Sequence, residues 1–159
     1  MFERYSRAGG SSMNPATSSY WLIVEDDDAD FFLLRRACER TIPRPPRIHR
    51  EADGEQAERF LAAAPQKPQL IIADLKMPRC TGLELLDWLK GEAELRKIPF
   101  VLLTGSDSPK DMVRAQEGGA DAYIEKPGDP AHFSEVIHRL IAMQLGRDGR
   151  DTVRTPVPN

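Results

Sequence analysis

Short apolar runs alternate with amphipathic stretches along most of this chain. Tyr20–Val24, Leu70–Ala73 and residues 100–103 are continuous, β-rich and bounded by polar residues. Unbroken apolarity over so few positions predicts strands covered on both faces, as in a parallel sheet. Arg47–Glu51 and Ala122–Glu125 are more polar and read as strands nearer the edges. The helices are marked by their starts. Asp53-Gly-Glu-Gln56 is a capping-box-like entry to a stripe of Ala57, Phe60, Leu61 and Ala64, and Thr81-Gly-Leu-Glu84 repeats the device before Leu85, Leu86 and Leu89. Ser108-Pro109 sets a cap before a proline at the first helical position, and Gly118-Gly119 ends that helix. Its apolar face (Met112, Val113, Ala115) is thin, which predicts modest packing. Asp129-Pro130 opens a last helix whose stripe, from Phe133 to Leu145, ends at Gly146. A first helix over residues 29–40 carries Phe31, Phe32, Leu34 and Cys38.

The unit strand–helix thus occurs five times between residues 19 and 146. It predicts one α/β domain, a mostly parallel sheet with right-handed crossovers and helices on both faces. Residues 1–18 are small and polar with no period and read as a flexible extension; residues 147–159 mix charge, Pro and Gly and read as a flexible tail.

Composition narrows the classes. At 159 residues, with 22 Lys plus Arg against 25 Asp plus Glu and a net charge of -3, the chain is no general binder of nucleic acid or anionic membrane. Its apolar runs fall far short of the ~20 residues that span a bilayer, and no apolar segment near the start forms a secretion signal. Two cysteines, Cys38 and Cys80, without CxxC spacing, read as reduced thiols. The expectation is a soluble cytoplasmic domain.

Chemistry concentrates at the strand ends. Glu25, Asp26, Asp27, Asp28 and Asp30 follow the first strand, and Asp74 follows the third. In a parallel sheet these ends share the carboxyl edge, where open α/β sheets bind ligands. Adjacent strands lie ~4.8 Å apart, so Glu25, Asp26 and Asp74 can share one hard cation such as Mg2+. Asp27, Asp28 and Asp30 are read instead as acids capping the next helix and facing water. Thr104 and Lys126 arrive at the same edge from the next two strands. A hydroxyl and an ammonium opposite an acidic cluster suit a phosphoryl group.

LIVEDD (residues 22–27), LIIADLKMPRCTGLELL (residues 70–86), PFVLLTGS (residues 99–106) and GGADAYIEKP (residues 118–127) together resemble the receiver domains of bacterial two-component response regulators. The wording is similar to stand-alone receivers beginning V-E-D-x-x-x-D, some of which serve phytochrome-like kinases. The resemblance spans roughly residues 20–145. It implies a three-layer (βα)5 doubly wound fold with a parallel five-stranded sheet of flavodoxin-like order 2-1-3-4-5. Asp74 would be the phosphoacceptor, taking its phosphoryl group from a sensor histidine kinase or histidine phosphotransfer protein. Mg2+ would be held by Asp26, Asp74, Glu25 (through water) and the main-chain carbonyl of Lys76. Thr104 and Lys126 would bind phosphoryl oxygens. Tyr123 matches the aromatic switch position, whose ring turns inward as Thr104 moves; packing of Tyr123 against the last helix is the other reading, and the two are compatible. Glu25 stands where many receivers have Asp.

With too few residues after Gly146 for a DNA-binding module, output is expected through protein contact: a downstream target, or a second copy meeting the face of helix 108–118, strand 122–125 and helix 130–145. Apart from autodephosphorylation, no turnover is implied. Arg40, Arg44, Arg47 and Arg50, interspersed with prolines, read as edge protection around the second strand. A haloacid-dehalogenase-type phosphatase needs an acid where Lys76 stands. A nucleotide or flavin binder lacks its glycine-rich loop after the first strand. A degenerate scaffold is at odds with a full set of site residues.

Overall fold

The structure, a computed structural model, describes residues 19–148. The extension read at residues 1–18 and positions 149–159 of the tail lie outside the described residues. β1 (Tyr20–Val24), β2 (Arg47–Glu51), β3 (Leu70–Ala73), β4 (Phe100–Thr104) and β5 (Ala122–Glu125) form one parallel sheet in the order β2-β1-β3-β4-β5. The three apolar runs are its central strands and the two polar ones its edges, as their composition requires.

The helices are α1 (Asp28–Thr41), α2 (Gly54–Ala63), α3 (Gly82–Gly91), α4 (Pro109–Glu117) and α5 (Phe133–Asp148). Strand alternation splits the core in two. Leu22, Ile71 and Leu102 pack with Leu61 of α2, Leu86 of α3 and Ala115 of α4 on one face of the sheet. Ile23, Ile72 and Val101 pack with Leu34 of α1 and Ile137 of α5 on the other. Many of these side chains are fully buried, and truncating one to Ala costs about 2–5 kcal/mol.

The caps stand where the sequence sets them. Thr81 and Glu84 form a reciprocal capping box, and Ser108 caps α4 with Pro109 in its first turn. At α2, Asp53 accepts from the Gln56 N–H, but the Gln56 amide returns to the Asp53 carboxylate rather than to the backbone. Two helical ends differ from expectation. A 3-10 turn, Pro130–His132, precedes α5, and α5 runs through Gly146 to Asp148. The apolar stripe marked where packing ends, and the backbone hydrogen bonds of the helix continue past it. On α4 only Ala115 is buried; Met112 and Val113 are exposed.

Candidate functional site

Parallel pairing brings the strand ends into line: Val24 pairs with Ala73, and Thr104 with Glu125. Each ladder is extended by one hydrogen bond that sets the next residue. The Asp74 N–H donates to the Val24 carbonyl at 3.0 Å, and the Lys126 N–H to the Thr104 carbonyl at 2.8 Å. The residues that begin the connecting loops therefore project together at the carboxyl edge.

Glu25, Asp26 and Asp74 each offer a carboxylate oxygen within 4.8 Å of the others. Glu25 is buried, Asp74 half-buried and Asp26 exposed. These hard oxygen donors, open to solvent on one side, fit Mg2+, which takes one or two carboxylates with water and phosphate oxygens completing its shell. Lys76 lies in the loop after Asp74 with its side chain exposed.

Lys126 reaches into the cluster from the end of β5. Its ammonium donates to Glu25 at 2.7 Å, to Asp30 at 2.7 Å and to Asp74 at 3.2 Å. Burial works against the charged ammonium, but the bonds to Asp30 and Glu25 and the charges of Glu25 and Asp74 outweigh it, holding its pKa above the ordinary lysine value. Burial likewise pushes the Glu25 carboxyl up to about 7; the Lys126 bond opposes this and the Asp74 charge adds to it.

The Asp30 contact corrects the sequence reading, which left Asp30 facing water. Asp27 does cap α1, accepting from the Asp30 N–H at 2.8 Å. The carboxylate of Asp30, in the first turn of α1, turns back toward Lys126. Asp28 faces water in the first turn of α1 as read, and its carboxylate also pairs with Arg50 at 2.7 Å.

Thr104 is buried, and its hydroxyl oxygen accepts from the Ser106 N–H at 3.1 Å. The Ser106 carbonyl in turn accepts from the Tyr123 hydroxyl at 2.9 Å. Ser106 thus joins the Thr104 strand end to the Tyr123 ring, and its own hydroxyl lies 3.4 Å from Asp111 in the first turn of α4. Tyr123 is buried on the α2–α3–α4 side of the sheet; its neighbour Ile124 faces α5 instead. Packing of Tyr123 against the last helix is therefore ruled out by the alternation of β5.

The floor of the site is tight. A Cβ on Gly82 would stand 2.4 Å from the Asp74 carbonyl oxygen and 2.6 Å from a Leu102 methyl. Only glycine lets α3 begin directly against the Asp74 backbone. Farther along this loop, Arg79 adopts a left-handed φ of 67° and pairs with the buried Asp53. Burial would raise the Asp53 carboxyl, but the Gln56 N–H and the Arg79 guanidinium outweigh it and hold it below the usual carboxylate range. His49, outside the site, stacks on Phe60 with centroids 3.9 Å apart.

Known proteins arrange themselves around this geometry. The response regulator receiver domain model matches residues 21–138. The polar-differentiation response regulator DivK of Brucella anthropi is 34% identical over 116 residues, covering 73% of this chain and 90% of that protein. The phosphorylated cyanobacterial phytochrome response regulator RcpA superposes with a TM-score of 0.75 at 25% identity, over 81% of this chain and 95% of its own. The Mn(2+)-bound form of response regulator Rcp1 gives 0.65 at 26% identity, over 89% and 99%. No helix among the described residues is long and apolar enough to cross a membrane.

Proposed function

Because the chain belongs to the response regulator receiver domain family, we propose that it is a cytoplasmic response regulator phosphorylated on Asp74 by a sensor histidine kinase or histidine phosphotransfer protein. The observation that carries this reading is the convergence of Glu25, Asp26 and Asp74 within 4.8 Å, with Lys126 bonded to both Glu25 and Asp74. RcpA in its phosphorylated form and Rcp1 with Mn2+ support the same reading by likeness.

The chemistry follows from the groups present. A carboxylate oxygen of Asp74 attacks the phosphorus of a phosphohistidine; the P–N bond breaks, the imidazole leaves with the electron pair and takes up a proton, and an acyl phosphate forms. Mg2+ held by Glu25, Asp26, Asp74 and the Lys76 carbonyl would draw off charge from the phosphoryl oxygens. Lys126 is already within bonding distance of Asp74 and pairs with a second phosphoryl oxygen. The Thr104 hydroxyl, whose oxygen accepts from Ser106, keeps its proton free to donate to a third.

Movement of Thr104 would pass to Ser106 and from there to Tyr123 and α4. Because α4 is weakly anchored, little free energy is needed to shift it. The output face is then α4, β5 and α5, meeting a downstream protein or a second copy, with Met112 and Val113 offering exposed apolar surface. The protein signals by contact and performs no turnover beyond its own dephosphorylation. Calorimetric titration with BeF3− in Mg2+ tests the site: one equivalent binds to the wild type and none to Asp74→Ala. Equal binding by both would refute the assignment.

A further inference from the structure

The side chain of Arg50, on the edge strand β2, is bound up with the acidic loop. Its Nε donates to the Glu25 carbonyl at 3.0 Å, its Nη2 to the Asp26 carbonyl at 3.3 Å, and its Nη1 pairs with Asp28 at 2.7 Å. The guanidinium carbon lies 4.6 Å from the centre of the Phe31 ring. The Glu25 N–H meanwhile donates to the Glu51 carbonyl at 3.1 Å, so β2 fixes both backbone polar groups of Glu25. The Glu25 side chain is held within the cation-binding cluster by two further bonds, Oε1 accepting from the Asp27 N–H at 3.1 Å and Oε2 from Lys126 at 2.7 Å. Edge protection explains Arg47, which is exposed, but not a guanidinium whose three nitrogens each have a partner in the segment from Glu25 to Asp28, where the β1–α1 loop enters α1.

We propose that Arg50 is a positioning residue for divalent-metal binding, holding the backbone of Glu25 and Asp26 so that their carboxylates are aimed at Asp74 before any ion arrives. The inference rests on the receiver reading above. A planar fork suits the task because it bonds two carbonyls and a carboxylate at once, which an ammonium cannot do. Groups that orient metal ligands typically change metal affinity by about 10–100-fold when removed.

The sign of the effect separates positioning from charge. Arg50 is a cation beside an acidic loop, so an electrostatic role alone makes its removal tighten cation binding. Positioning makes removal weaken it. The test titrates the full chain with Mn2+, following the free ion by electron paramagnetic resonance, for wild type, Arg50→Met and Arg50→Lys. Met keeps the stem over Phe31, and Lys keeps the charge should the Met variant fail to fold. The expected result is a Kd raised on the order of tenfold in Arg50→Met and raised also in Arg50→Lys. Unchanged or tighter Mn2+ binding in either folded variant overturns the inference while leaving the receiver reading intact. Absence of Mn2+ binding by the wild type overturns the metal site itself, and this inference with it.

Discussion

Lys126 holds its ammonium 2.7 Å from Asp30, a carboxylate 96 residues away in sequence, and the same nitrogen also reaches Glu25 and Asp74. One ammonium therefore bridges three acids in a half-buried site and offsets part of their charge. Lys126→Ala leaves those acids uncompensated, and breaking a buried pair this way costs about 3–5 kcal/mol. Mg2+ can replace part of the lost charge. Urea denaturation should show a large stability deficit in EDTA that narrows in Mg2+; a deficit indifferent to Mg2+ would mean that the lysine and the ion do not share these carboxylates.

Tyr123→Phe removes a hydroxyl and leaves a buried ring. The lost bond to the Ser106 carbonyl should cost about 1 kcal/mol by denaturation. Phosphorylation of Asp74 should proceed at the wild-type rate, while the phosphorylation-linked change in self-association or partner affinity, read by sedimentation, should shrink. A wild-type response would show that Tyr123 has no part in the output.

Gly82→Ala places a methyl against the Asp74 carbonyl, which as backbone cannot yield, and against a buried Leu102 methyl. Overpacking of this kind costs about 1–3 kcal/mol. Because the displaced atom belongs to Asp74, the proposed phosphoacceptor, its labelling rate should fall further than stability alone accounts for. Gly91→Ala, which meets nothing within 4 Å at the end of α3, is the control and should be neutral to slightly stabilising.

Asp53 predicts an acid-sensitive contribution. Its pKa is held below the unfolded value by Gln56 and Arg79, so its stabilisation is fully present above the unfolded carboxylate pKa of ~3.9 and is lost as pH falls through the folded one. Asp53→Asn keeps a capping oxygen but no charge. The stability gap between wild type and variant should be constant near neutrality and close below about pH 4. A gap that persisted in acid would assign the effect to capping alone.

The central strands and their caps were legible because local pattern determines them: β1 and β3 are apolar on both faces, and Thr81 and Ser108 act within one turn. The convergence of Glu25, Asp26, Asp74, Thr104 and Lys126 at one edge was legible because each ends or follows a strand there. Asp30 and Arg50 were not, since their roles depend on partners brought close only by folding. Asp30 needed the rotational setting of α1 against β5. Arg50 needed the register that pairs it with Ile23 and sets it below the Glu25 carbonyl. The length of α5 past Gly146 was missed for another reason: a side-chain stripe reports burial and not where the backbone hydrogen bonds stop.

The most direct measurement is intact-protein mass spectrometry after incubation with acetyl phosphate and Mg2+. The wild type should gain a single phosphoryl group, labile to base and absent when EDTA replaces Mg2+, and Asp74→Asn should gain none. A wild type that stays unmodified, or an Asp74→Asn variant that takes up the group equally, would contradict the account.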